Sequence, residues 1–151
     1  MEGEARFLRA AYYFMLVNTY AQPYNKETAA TEPGVPLKTS ETVEDRFFAR
    51  NSVAEVYKQI VNDLERAVVC LKEVALFPRP VRANYAAAAT LLSRVYLYMG
   101  EYEKAVQACD SVLEDSRYVL FNMNGQEPTA SFTKLATSEI IFSQGGYTTP
   151  Q

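Results

Sequence analysis

The sequence predicts a mainly all-α fold, built from tetratricopeptide-like antiparallel helical hairpins with one long loop and short extended C-terminal segments. The first observation is an apolar stripe from Val53 to Leu71 that repeats about every 3.6 residues. The second is a helix–turn–helix pattern with small residues where the helices must touch, Ala89-x2-Leu92-Ser93-x2-Tyr96 and then Gly100-x-Tyr102-x2-Ala105-x3-Cys109. The length of 151 residues and the hydrophobic content of 48% are those of one ordered domain spanning residues 1–151.

A first helix is predicted at about residues 2–20, with Glu2 and Glu4 at the positive end of its dipole. From Ala10 to Val17 this helix is apolar on all sides, which predicts burial between neighbouring elements. We interpret one group of aromatic residues as core because of its helical spacing: Tyr12, Tyr13, Phe14, Tyr57, Tyr96 and Tyr102.

Residues 21–51 are predicted to form a long loop, since prolines remove backbone donors and break helices. A connection of about 30 residues without secondary structure is uncommon in a compact domain and tends to be functional or disordered. Five of its residues have no periodic reason to be buried and are candidates for contacting a ligand or partner: Tyr24, Asn25, Arg46, Phe47 and Phe48. The alternative is that these side chains anchor the loop onto the helices.

A second helix is predicted at about residues 52–74. Ser52 and Glu55 form a capping-box pair at its start, and Pro78 and Pro80 follow its end. Its apolar stripe should face the core.

The third and fourth helices are predicted at about residues 84–99 and 101–114. Asn84 is a favourable N-cap residue, and Gly100 is expected to end the third helix with a positive φ. The inner face of the fourth helix is predicted to contain Tyr102, Ala105, Val106, Cys109, Val112 and Leu113. The two hairpins resemble each other in spacing, and two repeats need a further element or partner to cover their exposed face.

The C-terminal part is less regular. Residues 118–121 form an apolar run that predicts a short strand or extended segment, and residues 138–143 predict another short strand. An apolar strand without a predicted partner suggests that the natural protein continues beyond this chain.

The composition excludes several functions. A net charge of −3 without a basic block gives no footprint for nucleic acid, and the absence of histidine excludes Ser-His and Cys-His nucleophiles within the chain. The glycines form no phosphate-binding loop, and Cys70 and Cys109 alone make no zinc site, so we predict no catalytic residue, metal or cofactor. Both cysteines are interpreted as small apolar residues, although a disulfide between them stays open.

Acidic pairs such as Asp63 with Glu65 are interpreted as solvated helix surface. Two carboxylates facing each other across a cleft are what glycoside hydrolysis needs, so a glycan-processing enzyme using Glu41 and Glu44 is one alternative function. A generic intracellular repeat scaffold that binds a protein or peptide is the other.

Five motifs, in this order and spacing, resemble a known family. They are Glu4-Ala5-Arg6-Phe7-Leu8-Arg9-Ala10-Ala11-Tyr12-Tyr13-Phe14, Gly34-Val35-Pro36-Leu37, Ser52-Val53-x2-Val56-Tyr57-x2-Ile60-x2-Asp63-Leu64, Ala87-x2-Thr90-Leu91-Leu92-Ser93-Arg94-Val95-Tyr96-Leu97-Tyr98-Met99-Gly100 and Ser138-Glu139-Ile140-Ile141-Phe142. Over nearly the whole chain, the series resembles the SusD/RagB family of Gram-negative outer-membrane nutrient-binding lipoproteins.

The resemblance implies a non-enzymatic component of glycan or nutrient uptake. Family members are cell-surface lipoproteins that cover a SusC-type TonB-dependent transporter and pass glycans, or sometimes peptides, to it. Their helical face is expected to support the fold and meet the transporter. This sequence has no lipobox cysteine near its start and lacks the family's long C-terminal ligand-binding region, so we expect it to be the helical fragment of a longer protein.

Overall fold

Four helices form the part of the chain that the structure, a computed structural model, describes: residues 1–45, 47–72, 81–120, 122, 124 and 138–143. No strand occurs among these residues, so the predicted all-α class is confirmed. The helices are α1 (Glu2–Tyr20), α2 (Val53–Leu71), α3 (Tyr85–Tyr98) and α4 (Tyr102–Leu113). Each helix packs chiefly on its neighbour in sequence, which is the arrangement of stacked helical hairpins.

The pairing of α1 with α2 is antiparallel. Gly3 at the start of α1 lies so close to Leu71 that a Cβ atom on Gly3 would be 2.8 Å from the Leu71 Cγ atom. At the other end, the Tyr57 hydroxyl donates a hydrogen bond of 3.2 Å to the Asn18 side chain. Between these ends, the predicted apolar stripe of α2 is buried: Val53, Val56, Tyr57, Ile60, Leu64, Ala67 and Leu71.

The N-terminus of α2 has its free backbone N–H groups satisfied by the preceding loop. The predicted capping box is present, because the Ser52 hydroxyl accepts from the Glu55 N–H at 3.2 Å while the Glu55 carboxylate accepts from the Ser52 N–H at 2.8 Å. The N–H groups of Val53 and Ala54 donate to loop carbonyls at 2.9 Å. The loop is therefore attached to α2 by its backbone, which positions everything that the loop carries.

Gly34 occupies a place where the loop backbone touches the start of α2. A Cβ atom at Gly34 would lie 2.9 Å from the carbonyl oxygen of Asn51 and 3.0 Å from that of Ser52. We expect Gly34→Ala to lower the free energy of unfolding by roughly 1–3 kcal/mol, since overpacking against backbone forces it to shift. Urea unfolding followed by circular dichroism measures this, and an unchanged midpoint would contradict the close approach.

The hairpin of α3 and α4 follows the sequence prediction at its ends. The Asn84 side chain caps α3 by accepting from the Ala87 N–H at 2.8 Å, and Gly100 has a φ of +74°. Residues 86–89, all alanines, are buried, and such small side chains let neighbouring helices approach closely. In the structure α2 ends at Leu71 and Lys72 forms a turn, so the helix is shorter than predicted, while residues 73 and 74 lie outside the described residues.

The prediction that α1 and α4 bury most of their apolar side chains is wrong. Tyr12 and Tyr102 are 52% and 66% exposed, and of the predicted inner face of α4 only Ala105 and Val112 are buried. The face's other residues, Val106, Cys109 and Leu113, are exposed. Periodicity finds an apolar side of a helix, but burial also requires a neighbour on that side, and no described element covers these faces.

The predicted C-terminal strand is also absent. Residues 138–143 form a turn and an irregular segment, and residues 118–120 are irregular as well, while Phe121 lies outside the described residues. Ile141 and Phe142 pack on the helical core instead, with the Phe142 ring 5.0 Å from that of Phe7 in an edge-to-face contact. A strand needs a neighbouring strand for its backbone hydrogen bonds, whereas apolar side chains can be buried just as well in a groove between helices.

Both cysteines, Cys70 and Cys109, are free thiols, so the disulfide that the sequence left open is not formed.

Candidate functional site

The five loop residues predicted to contact a ligand or partner occupy different surroundings. Tyr24 is half-buried, with its ring centroid 4.8 Å from that of Tyr57, and Asn25 is exposed, where its side chain accepts from the Glu27 N–H at 2.9 Å. Phe47 is fully exposed and Phe48 is half-buried. Arg46 lies outside the described residues.

Lys38 organises the loop segment that carries Phe47 and Phe48. Its ammonium group donates to the Ser40 hydroxyl at 2.8 Å and to the Thr42 carbonyl, and it lies 5.2 Å from the centroid of the Phe48 ring. The Tyr13 hydroxyl anchors the Lys38 backbone to α1, accepting from its N–H at 2.8 Å and donating to its carbonyl at 3.1 Å.

Two apolar side chains project from this loop segment. Val43 and Phe47 are 101% and 103% exposed, so both are as accessible as in an extended chain. We call this pair the loop tip. Fully exposed apolar side chains on a projecting loop suit contact with another molecule.

One open cavity of about 820 Å³, here called the α2 groove, lies between the loop, the outer side of α2 and the turn from α3 to α4. Its walls contain Tyr24, Leu37, Asn51, Ala54, Glu55, Lys58, Gln59, Val61, Asn62, Glu65, Tyr96, Met99 and Lys104. Among the four predicted site residues that the structure describes, only Tyr24 lines it. The sequence signal for the α2 residues of the groove is a polar row at three- and four-residue spacing, of which only Glu65 was interpreted as solvated surface in the sequence analysis.

Several polar side chains of the α2 groove are held in place by the fold. The Glu65 carboxylate accepts from the Tyr96 hydroxyl at 2.8 Å, and the Asn51 side-chain oxygen accepts from the Leu37 N–H at 2.9 Å. Burial, together with the hydrogen bond to Glu65 and its negative charge, raises the pKa of the Tyr96 hydroxyl. The hydroxyl therefore stays protonated as a donor, and the second oxygen of Glu65 has no partner among the described residues.

Beneath the α2 groove lies a buried ion cluster around Asp63, which was wrongly interpreted as solvated surface. Asp63 is fully buried and accepts hydrogen bonds from Arg9 at 2.6 and 2.7 Å, from Arg6 at 3.0 Å and from Gln59 at 2.9 Å. Burial raises the pKa of the Asp63 carboxyl, but the bonds from Arg9 and Gln59, with the charge of Arg9, outweigh it and hold that pKa below its ordinary value. The cluster joins α1 to α2 and positions Gln59 in the groove wall.

Two further open cavities lie on the helical hairpins. One of about 500 Å³ lies between α1 and α3, where Ile141 and Phe142 form part of its wall. The other, of about 490 Å³, lies between α3 and α4 and is lined by Leu97, Tyr102 and Val106 among others.

The two carboxylates considered for glycoside hydrolysis lie outside these cavities. Glu41 is exposed on the loop and Glu44 contacts Lys38 at 3.4 Å, and neither lines the three cavities described above. In the described ranges, no three His, Cys, Asp or Glu side chains come together as metal ligands would. No helix among the residues that the structure describes combines the length and apolar character needed to cross a bilayer.

Stacked helical hairpins with open grooves and a projecting loop are the architecture of tetratricopeptide-like domains. Residues 1–97 match the sequence model of a SusD-like family described as starch-binding and associating with the outer membrane. The chain therefore belongs to the SusD-like family, which confirms the resemblance found in its motifs.

Solved structures of SusD-like proteins are similar to this chain in fold and sequence. A SusD superfamily protein from Bacteroides thetaiotaomicron is 36% identical over 79% of this chain and 26% of its own length, with a TM-score of 0.70. A putative sugar-binding protein from Bacteroides vulgatus is 37% identical over 74% of this chain and 24% of its own length, with a TM-score of 0.67. A laminarin-binding SusD-like protein is 30% identical over 73% of this chain and 22% of its own length, with a TM-score of 0.59. The chain thus spans about a quarter of the length of these structures. Among proteins of curated function, none shows significant similarity to it.

Proposed function

We propose that this chain is the helical part of a longer lipoprotein that binds glycans at the cell surface and works with a SusC-type TonB-dependent transporter. The observation that carries the proposal is the family match over residues 1–97, in a family described as starch-binding and associating with the outer membrane. The relatives described as sugar-binding and laminarin-binding support a glycan as the ligand. The role is binding and transfer without catalysis or a cofactor.

The loop is proposed to provide contacts outside the helical core. Tyr24 lines the α2 groove and is assigned to the ligand. The loop tip is assigned to the transporter, because Phe47 presents a fully exposed apolar ring. Asn25, Arg46 and Phe48 are their neighbours in the sequence and stay candidates.

A peptide-binding scaffold is the second candidate function. The observation in its favour is the segment of residues 138–143, which lies in the groove between α1 and α3 without regular secondary structure. Tetratricopeptide-like grooves that accept an irregular segment of their own chain have the shape to accept a peptide from another protein.

The full-length protein that contains this chain provides the test of the main proposal. We expect a glycan array to show binding to a polysaccharide, and a tagged transporter encoded beside the gene to co-purify with the protein from outer membranes. Binding to peptides but not to glycans would favour the scaffold, and turnover of an oligosaccharide would contradict a role without catalysis.

Phe47→Ala is expected to weaken association with the transporter by about tenfold or more, since truncating a buried aromatic anchor at an interface costs roughly 2 kcal/mol. The free energy of unfolding should change by less than about 0.5 kcal/mol, because the ring is fully exposed. Association is measured by surface-immobilised transporter in detergent. The control is Val69→Ala, an exposed apolar residue on α2. Equal affinity of both variants and the wild type would remove Phe47 from the interface.

A further inference from the structure

The α2 groove has the dimensions of a ligand site. Its volume of about 820 Å³ falls within the roughly 300–1,000 Å³ typical of such sites. Glu55, Lys58, Asn62 and Glu65 follow one another at spacings of three and four along α2, which aligns them on one side of the helix. Ten residues of helix separate the first from the last, a length of about 15 Å that suits a short linear ligand.

Two polar side chains of this row make no contact that the fold requires. Lys58 and Asn62 are exposed, and neither forms a hydrogen bond or ion pair with any other residue in the described part of the chain. The side-chain nitrogen of Gln59, beside them, donates a hydrogen bond of 2.9 Å to Asp63. The side-chain oxygen of Gln59 has no hydrogen-bond partner among the described residues. The groove thus offers an ammonium, an amide and a carbonyl oxygen that are held on a rigid helix.

The charges that line the groove balance. Glu55 and Glu65 contribute two negative charges, and Lys58 and Lys104 contribute two positive ones. An anionic ligand would gain no net attraction and would meet both carboxylates. An apolar ligand would cover polar groups without giving them partners, which costs free energy for each group.

The aromatic residues stand at the two ends of the row. Tyr24 of the loop packs on Tyr57 near the start of α2, and its half-buried ring lines the groove. Tyr96 of α3 donates its hydroxyl to Glu65, but its ring is buried and lies 5.5 Å from the Lys104 ammonium, so Tyr24 is the ring left for a ligand. Tyrosine offers an apolar ring together with a polar hydroxyl. Sugars carry both C–H faces and hydroxyl groups that donate and accept hydrogen bonds.

We propose that the α2 groove binds a stretch of uncharged oligosaccharide, with Lys58 and Asn62 as direct contacts and Tyr24 as an apolar surface for a sugar ring. This inference rests on the proposed function, because it names the ligand class and the site for the same glycan-binding role. It adds a site on the helical hairpins to a protein whose helices are otherwise expected to support the fold and meet the transporter.

A glycan array with neutral and acidic polysaccharides, probed with the full-length protein, is the first test. We expect binding to a neutral glycan. Binding only to acidic glycans would overturn the inference while the proposed function stands, and binding to none would overturn both.

Calorimetric titration of oligosaccharides from the bound glycan is the second test. Lys58→Ala/Asn62→Ala should weaken binding at least tenfold without lowering the melting temperature, because both residues are exposed and alanine favours helix. The matched control is Lys72→Ala/Gln107→Ala, one lysine and one amide that are exposed outside the groove. If the double variant melts below the wild type, Asn62→Ser replaces it. Unchanged affinity in the groove variant would overturn the site, and glycan binding by the wild type would still support the function.

Discussion

Asp63→Ala is expected to lower the free energy of unfolding by about 3 kcal/mol. The carboxylate is fully buried and accepts four hydrogen bonds, so its loss leaves Arg6 and Arg9 without their shared partner. The value lies at the lower end of the range for a broken buried ion pair, because the two arginine side chains keep 30% and 34% exposure to water. Urea unfolding followed by circular dichroism at neutral pH measures the change.

The control for this prediction is Asp110→Ala, which removes an exposed aspartate from α4 and should change the same free energy by less than about 0.5 kcal/mol. If the Asp63 and Asp110 variants lose equal stability, the ion cluster contributes nothing specific to the packing of α1 on α2.

The contribution of Asp63 to the free energy of unfolding should decrease as the pH falls. Its carboxyl has a folded-state pKa below the ordinary 3.8, so the unfolded chain takes up the proton first as the pH falls. The stabilisation is therefore complete above that ordinary value and is lost as the pH falls through the lower folded-state pKa. In Asp63→Asn this loss disappears, so the stability difference between the wild type and the variant should narrow in acid. A constant difference from neutral pH into that acid range would contradict the lowered pKa.

Tyr57→Ala is expected to destabilise the chain most, by roughly 3–5 kcal/mol, since it removes a large buried aromatic side chain and leaves a cavity. Tyr57 is 1% exposed and lies where α1, α2 and the loop meet. Its ring lies 6.2 Å from that of Phe14 and 4.8 Å from that of Tyr24, measured between centroids. The midpoint of urea unfolding reports the loss.

Tyr57→Phe is the matched control. It keeps the ring and removes only the hydroxyl that donates to Asn18, so it should cost about 1 kcal/mol. Burial raises the pKa of Tyr57 to about 12, so this donor stays protonated throughout the physiological range. Equal losses in the two variants would mean that the hydrogen bond, and not the packing of the ring, dominates at this position.

Tyr57 also links stability to the proposed ligand site, because the ring of Tyr24 rests on it. A variant that keeps the ring should leave glycan affinity unchanged, whereas Tyr57→Ala should weaken it by freeing Tyr24. Calorimetric titration below the melting temperature of the variant separates this effect from unfolding.

The helices themselves were predictable because their signals are local. The capping box of Ser52 and Glu55, the N-cap of Asn84 and the positive φ of Gly100 each depend on residues within a single helical turn. The buried stripe of α2 follows from apolar spacing alone. The five motifs of the sequence analysis, taken in order, were sufficient to identify the family.

Burial on the remaining faces was not predictable in the same way. Tyr12 and Tyr102 have the spacing of core residues and are exposed, while Asp63 has the charge of a surface residue and is buried. Of the candidate site, Tyr24 was found from the loop sequence, whereas Lys58, Asn62 and Glu65 carry the pattern of any solvated helix. What distinguishes them is the position of the loop and of α3 across the groove.

Helix caps and the apolar side of a helix depend on residues that lie within a few positions of one another. Both can therefore be predicted from the sequence. The Asp63 cluster joins Arg9 to a partner 54 positions away, and the α2 groove exists only where the loop, α2 and the turn into α4 meet. Contacts of this kind depend on which elements pack together, since burial is a property of the assembled chain and not of any segment within it.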